Sequence, residues 1–280
     1  MTGIESILQA RIQKLAQKTP TRKQGTSSQY HCNLCQDKGL MVDESGLWAR
    51  PCQCVRQQAV LNMFRSAQLT PEMLECTFNN FNLEYYDRNK TDKVKNISYY
   101  DSAVLAKNAA MDFTKECINN RHTDGLLLTG PVGSGKTFLA CCIANGLMEH
   151  GISVLFIVVP DLLDEIKATY DSQRNSVEVT EHDLVDAARK VEVLVLDDLG
   201  AHNYTDWTRN KIYNIINYRI NHRLPTIITS NLNLRELKEY LGERTTSRII
   251  QMCRPYRLPM DQDIRVIKRH EKEIRNMKIF

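Results

Sequence analysis

An α/β fold, a parallel sheet flanked by helices, is predicted by three features of the amino-acid sequence. Short apolar runs at Leu126–Thr129, Val154–Val159, Val193–Leu196 and Thr226–Thr229 alternate with longer segments of helical periodicity. That alternation is the mark of parallel strands joined by crossover helices. The first run leads into Gly130-Pro131-Val132-Gly133-Ser134-Gly135-Lys136-Thr137, followed by Phe138-Leu139-Ala140 at the start of a helix. A glycine-rich loop between strand and helix is where a phosphate cradle must lie. The third run ends in Asp197-Asp198, at the carboxyl edge where such sheets bind ligands.

At 280 residues and 42% hydrophobic content the chain can bury one ordinary core and a second small module. No stretch reaches the roughly 18 apolar residues of a membrane span, and the start lacks a signal-peptide hydrophobic region. A cytoplasmic protein with no membrane partner is expected. The Arg- and Ser-containing start, with Glu5 as its one acid, leaves an organelle transit peptide as the lesser reading. The cytoplasm keeps thiols reduced, so the nine cysteines are read as buried or metal-binding. Cys76, Cys117, Cys141, Cys142 and Cys253 fit burial. The formal charge of +4 is unevenly spread: residues 1–30 carry five Lys/Arg against one acid, and residues 244–280 ten against four. Such ends attract a polyanion, unless they are ordinary solvated helix faces.

Along the chain, Ile4, Ile7, Leu8, Ile12 and Leu15 fall at helical spacing and predict an amphipathic helix over 2–19. The polar run from Thr19 to Gln29 reads as a linker. Residues of about 60–120 are mainly helical in pattern, broken at Phe78-Asn79-Asn80-Phe81 and at the polar stretch Asp87 to Asn96.

Between these lies a cysteine cluster. Cys32-x2-Cys35 and Cys52-x-Cys54, separated by 16 residues, offer four thiolates from two tight turns, a set suited to tetrahedral Zn²⁺. Four protein ligands leave no open position, so the zinc is structural. His31 adjoins the first pair and is an alternative fourth ligand. So small a segment has too few large apolar side chains for its own core, which favours a metal over a metal-free turn cluster.

The loop at Gly130–Thr137 matches the P-loop pattern in full. Its backbone N–H groups and the helix N-terminus would hold phosphate oxygens, Lys136 would reach the β- and γ-phosphates, and Thr137 would bind Mg²⁺. Asp197 is expected to hold the same Mg²⁺, and Asp198 to orient or deprotonate the attacking water. An Asp is shorter there than the Glu of many ATPases, so slow ATP hydrolysis is expected. Asn231, after the strand ending Thr229-Ser230, is placed to bond that water or the γ-phosphate; the competing reading is a cap for the helix from Leu232. Beyond the last expected core strand come Arg244, Arg248 and Arg265, candidates for an arginine finger.

Taken together, strand, P-loop, Asp-Asp strand end, Thr-Ser-Asn strand end and Ser-Arg helix resemble the AAA+ module of bacterial helicase loaders of the DnaC/DnaI type, with IstB-like transposition ATPases as relatives. The resemblance is strong over about residues 120–270. It implies that Asn231 is the first sensor, Arg248 the arginine finger with Arg244 as its competitor, and Arg265 the second sensor. It implies three parts: residues 1–60, an N-terminal helix and zinc module that contacts the helicase; 61–120, a helical linker region; and 121–280, the ATPase domain. Members deliver the ring-shaped replicative helicase onto single-stranded DNA, so these are the implied partners, with nucleotide-dependent self-association following from a finger offered in trans.

Contact with single-stranded DNA calls for a basic surface with aromatic stacking. Lys190, Arg209, Lys211, Arg219 and Arg223 are the candidates, accompanied by Trp207, Tyr213 and Tyr218, although Trp207, Ile212, Ile215, Ile216 and Ile220 share a helical spacing that suits a core face. Three other functions remain in view: a transposition helper of the IstB type, an ATP-gated adaptor without significant hydrolysis, and a small-molecule kinase or GTPase. The absence of an Asn-Lys-x-Asp motif weakens the GTPase case.

Overall fold

The computed structural model describes residues 32, 34–42, 49–52, 54–55, 70–92, 96–120, 122–169, 179–201 and 204–277. The expected N-terminal helix and linker, and His31, lie outside these residues. The chain divides into two compact units, residues 1–52 and 53–280.

In the first unit, left-handed backbone at Gln36, Asp37 and Gly39 turns the chain sharply after Cys35. β1 (Leu40–Val42) then pairs antiparallel with β2 (Ala49–Pro51), Met41 opposite Arg50.

The second unit opens with α1 (Pro71–Leu74), capped by Thr70, and a short 3-10 turn at Leu83–Tyr85. A small hairpin follows, β3 (Thr91–Asp92) with β4 (Ile97–Ser98). Ser98 caps α2 (Tyr99–Asn119), its hydroxyl accepting the Asp101 N–H. The remaining elements alternate: β5 (Gly125–Thr129), α3 (Lys136–Glu149), β6 (Val154–Val158), α4 (Val159–Ala168), α5 (Glu181–Lys190), β7 (Val193–Asp197), α6 (Asp206–Asn221), β8 (Thr226–Ser230), α7 (Leu234–Leu241), α8 (Glu243–Met252), β9 (Cys253–Arg257) and α9 (Ile264–Met277).

β5 to β9 form one parallel sheet in the order β6-β7-β8-β5-β9. Strand residues alternate between its faces, as a pleat requires. Leu127, Leu155, Leu194, Leu196 and Ile228 pack with α4 to α8 on one side. Leu126, Leu128, Phe156, Val195 and Ile227 pack with α2 and α3 on the other. Both faces are covered, which explains why these strands read as continuous apolar runs. α2 supplies Ala103, Ala106, Ala110 and Phe113, all fully buried, to the second face. The region expected as a helical linker thus contributes to the core of the sheet's own unit.

The fifth strand, β9, departs from the sequence reading, which placed the last core strand at 226–229. Its sequence, Cys-Arg-Pro-Tyr-Arg, is polar and contains proline. Only an edge position accepts this, and β9 occupies the edge beside β5, with Pro255 opposite Leu127.

Candidate functional site

β5 lies between β8 and β9, and the chain leaves it through the 130–135 loop into α3. At Gly133 (φ 71) an added Cβ would stand 2.0 Å from an Asp263 carboxylate oxygen, and at Gly135 (φ 90) it would stand 2.8 Å from the Tyr86 hydroxyl. Glycine is therefore required at both. The loop is held from one side by Tyr86, a buried phenol that donates to the Ser134 carbonyl at 2.7 Å. Phe81 packs on Tyr86 and Phe138, with ring centroids 5.7 and 5.9 Å away.

Lys136 turns back over the loop, donating to the carbonyls of Gly130 at 2.8 Å and Pro131 at 2.7 Å. Burial pulls its ammonium down to about 8, against the attraction of Asp198 and Asp197. Glycine-shaped backbone, a helix N-terminus and a buried lysine form one donor set that fits phosphate oxygens.

The carboxylates come from β7, and β8 stands between it and β5. Thr137 donates to Asp197 Oδ1 and Oδ2 at 3.0 and 3.1 Å. Thr229 of β8 donates to Asp197 Oδ1 at 2.6 Å and accepts the Asp198 N–H at 2.9 Å. Asp198 then takes left-handed backbone (φ 59), which Asp tolerates better than most residues. Its Oδ1 accepts from Asn231 Nδ2 at 2.7 Å. Thr137, Asp197, Thr229, Asp198 and Asn231 are thus one connected chain from α3 to the end of β8. The cap of the helix after Asn231 is Asn233, whose side chain accepts the Arg235 and Glu236 N–H groups. Burial raises the Asp197 carboxyl and Asp198 adds to this, while Thr229, Thr137 and Lys136 oppose it. The Thr137 hydroxyl and Asp197 carboxylate offer the hard oxygen donors that Mg²⁺ takes.

Arg265, in the first turn of α9, pairs with Asp263 at 3.0 Å and feels the charge of Asp198. Arg244 is exposed and Arg248 half-buried on α8, and neither side chain has a partner among the described residues. The structure therefore gathers 130–137, Asp197, Asp198, Asn231 and Arg265 into one site and leaves Arg244 and Arg248 apart from its contacts. A cleft of ≈ 320 Å³ opens beside the loop, lined in part by Gly130, Pro131, Asn231 and Arg257. Three participants escaped sequence reasoning. Thr229 sits in an apolar run, Tyr86 belongs to a segment read only as helical, and Asp263 is two residues before a more conspicuous arginine.

The four clustered cysteines, Cys32, Cys35, Cys52 and Cys54, present sulfurs that all lie within 4.8 Å of one another. Tetrahedral zinc with Zn–S of about 2.3 Å needs sulfur–sulfur edges of about 3.8 Å, and Cys32 and Cys52 are 3.8 Å apart. The Gly39 N–H donates to Cys35 Sγ at 3.4 Å, the kind of outer contact that orients a metal ligand. The residues present fit the ion.

The basic surface expected for DNA is corrected at one position. Arg219 is fully buried: it donates to Thr226 Oγ1 and to the carbonyls of Ala188, Arg189, Val191, Glu192 and Pro225. Burial lowers its guanidinium to about 9. Lys190 pairs with Asp186, Lys211 with Glu181, and Arg209 donates to the Tyr240 carbonyl. Ile212, Ile215 and Ile216 are core, as their spacing suggests.

A parallel sheet of this order, with a P-loop after its interior strand and a carboxylate pair two strands away, defines an ATP-binding protein of the AAA+ type. The chain belongs to the family of IstB-like ATP binding proteins, whose profile matches residues 81–252. It is 30% identical over 215 residues to the uncharacterized protein YqaM of Bacillus subtilis (strain 168), a match covering 75% of this chain but 62% of YqaM. It is 28% identical over 214 residues to the replicative helicase loader DnaC of Buchnera aphidicola subsp. Schizaphis graminum, covering 76% of this chain and 77% of DnaC. The crystal structure of DnaI superposes with a TM-score of 0.52 at 25% identity, covering 70% of this chain and 94% of DnaI. Among the described residues, no helix is long and apolar enough to cross a membrane.

Proposed function

We propose that this chain is a cytoplasmic, ATP-dependent replication protein that binds a replicative DNA helicase and loads it onto single-stranded DNA. The observation that carries the reading is the connected chain Thr137–Asp197–Thr229–Asp198–Asn231. It links the loop that would hold nucleotide to the end of β8, as a nucleotide-gated adaptor requires. The likeness to a replicative helicase loader over most of both chains supports a helicase as the cargo.

In this reading the 130–135 amides and Lys136 hold the phosphates of ATP, while Thr137 and Asp197 would hold Mg²⁺, which would neutralise phosphate charge. Asp198 orients or deprotonates water, Asn231 bonds that water or the γ-phosphate, and Arg265 reaches the same phosphate in cis. Arg248, without a side-chain partner among the described residues, is offered in trans to a second copy, with Arg244 as the competitor. Hydrolysis is slow and stimulated by single-stranded DNA. Residues 1–60 with their zinc cluster dock the helicase.

The test is co-purification with the host's replicative helicase in ATP and in ADP, scored for helicase loading onto a circular single strand. ATP-dependent association with loading supports the reading. Failure to associate, with ATP-dependent binding to duplex DNA instead, moves the assignment to a transposition helper, which the IstB-like family description favours as the second reading. Helicase binding and loading without phosphate release would identify an ATP-gated adaptor.

A further inference from the structure

The charges around the loop mouth are not all of the sign a phosphate site calls for. Asp263 lies against the loop: its carboxylate fills the space a Gly133 side chain would take, and the N–H of the next residue, Ile264, donates to the Gly133 carbonyl at 3.1 Å. The same carboxylate grips Arg265 on two edges. Arg265 Nε reaches Oδ1 at 3.1 Å and Oδ2 at 3.2 Å, Nη2 reaches Oδ2 at 3.0 Å, and the Arg265 backbone N–H donates to Oδ1 at 2.8 Å. Lys136 and Arg265 both act on Asp263, and Asp263, Asp198 and Arg265 all act on Lys136. One anion therefore sits among the cations that a polyphosphate needs, engaged in the bidentate geometry a guanidinium also offers to phosphate.

We infer that Asp263 is a built-in competitor for the nucleotide's phosphates, holding Arg265 in a latched position that ATP must displace. The inference rests on the nucleotide-site reading above and deepens it by assigning a residue that sets affinity. Two costs follow for an incoming triphosphate. Its charge meets the Asp263 carboxylate at the loop, and its claim on Arg265 requires the guanidinium to leave a two-edged ion pair. Because Asp263 and Ile264 begin α9 and bond the loop directly, releasing the latch also frees the first turn of α9. Occupancy of the loop is thereby transmitted to the C-terminal helix.

The discriminating substitution is Asp263→Asn. Asparagine caps a helix as well as aspartate does, so it keeps the Arg265 N–H bond and removes the charge. Titration of wild type, D263N, R265A and the double variant with a fluorescent ATP analogue reads the effect. D263N is expected to bind ATP roughly three- to tenfold more tightly than wild type, the scale of one coupled pair. In the R265A background the gain should shrink, because part of it comes from freeing the arginine. Unchanged or weaker binding by D263N, with its melting temperature retained, overturns the inference and leaves the nucleotide site standing. Wild type that binds no ATP removes both.

Discussion

Thr229 makes two hydrogen bonds with one hydroxyl. It donates to Asp197 and accepts from the Asp198 backbone, so it holds the Asp197 carboxylate and the Asp198 main chain from the neighbouring strand while itself 1% exposed. Valine has nearly its shape and neither bond. Thr229→Val leaves Asp197 with Thr137 alone and the Asp198 N–H without its acceptor, and a hydrogen bond to a charged group contributes about 1.5–3 kcal/mol. ATP turnover should fall by roughly one to two orders of magnitude on that scale, with the Mg²⁺ concentration for half-maximal rate rising. ADP binding without Mg²⁺ should change little. A Mg²⁺ dependence identical to wild type would show that Thr229 does not position the carboxylates. At this scale the P-loop and Asp197-Asp198 were legible because their chemistry is written in consecutive residues. Thr229 was not, because its role depends on β8 lying beside β7, a fact of strand order that no local pattern carries.

Arg219 illustrates the same limit for whole elements. Its place on a helix with several basic neighbours suggested a DNA-facing surface, yet the buried side of α6 carries it together with Ile212, Ile215 and Ile216. There it satisfies carbonyls where α5 ends and where β8 begins, the Pro225 carbonyl also accepting the Leu194 N–H. Replacing Arg219 with Met keeps an apolar stem of similar length but removes the donor to the Ala188 and Val191 carbonyls. The expected loss is about 2–5 kcal/mol, at about 1–3 kcal/mol for each buried carbonyl left unsatisfied, or roughly 10 °C in melting temperature for a domain of this size. Thermal unfolding of R219M measures it, and a shift below about 2 °C would mean that the carbonyls find other partners. Four of the five sheet strands were readable as apolar runs because both their faces are covered. β9 was not, since an edge strand can carry Pro255 and two arginines. The burial of α2 was hidden in the same way: Ala103, Ala106 and Ala110 are small enough to let the helix lie close to the sheet, but alanine spacing alone marks no core.

For the whole molecule, the division at residue 52 separates two ways of being stable. The second unit has two apolar layers about a five-stranded sheet, and its stability is that of an ordinary core. The first shows a three-residue hairpin and turns around Cys32, Cys35 and Cys52, with no comparable apolar cluster among its described residues. Such a segment cannot offset its ordering entropy by burial, and bound zinc supplies on the order of 10–16 kcal/mol in small metal-organised domains. The cysteine segment and the sheet's core should therefore respond oppositely to a strong chelator. Dialysis is expected to release one zinc per chain and abolish hydrogen-exchange protection around residues 32–54, while ATP-analogue affinity and the main thermal transition are retained. Helicase association should be lost along with the zinc, if the first unit is the docking module, and return when Zn²⁺ is restored. Protection around Cys32 and Cys52 that survives complete metal removal would refute the metal-organised reading. Loss of ATP binding on chelation would instead show that the sheet's core depends on the metal.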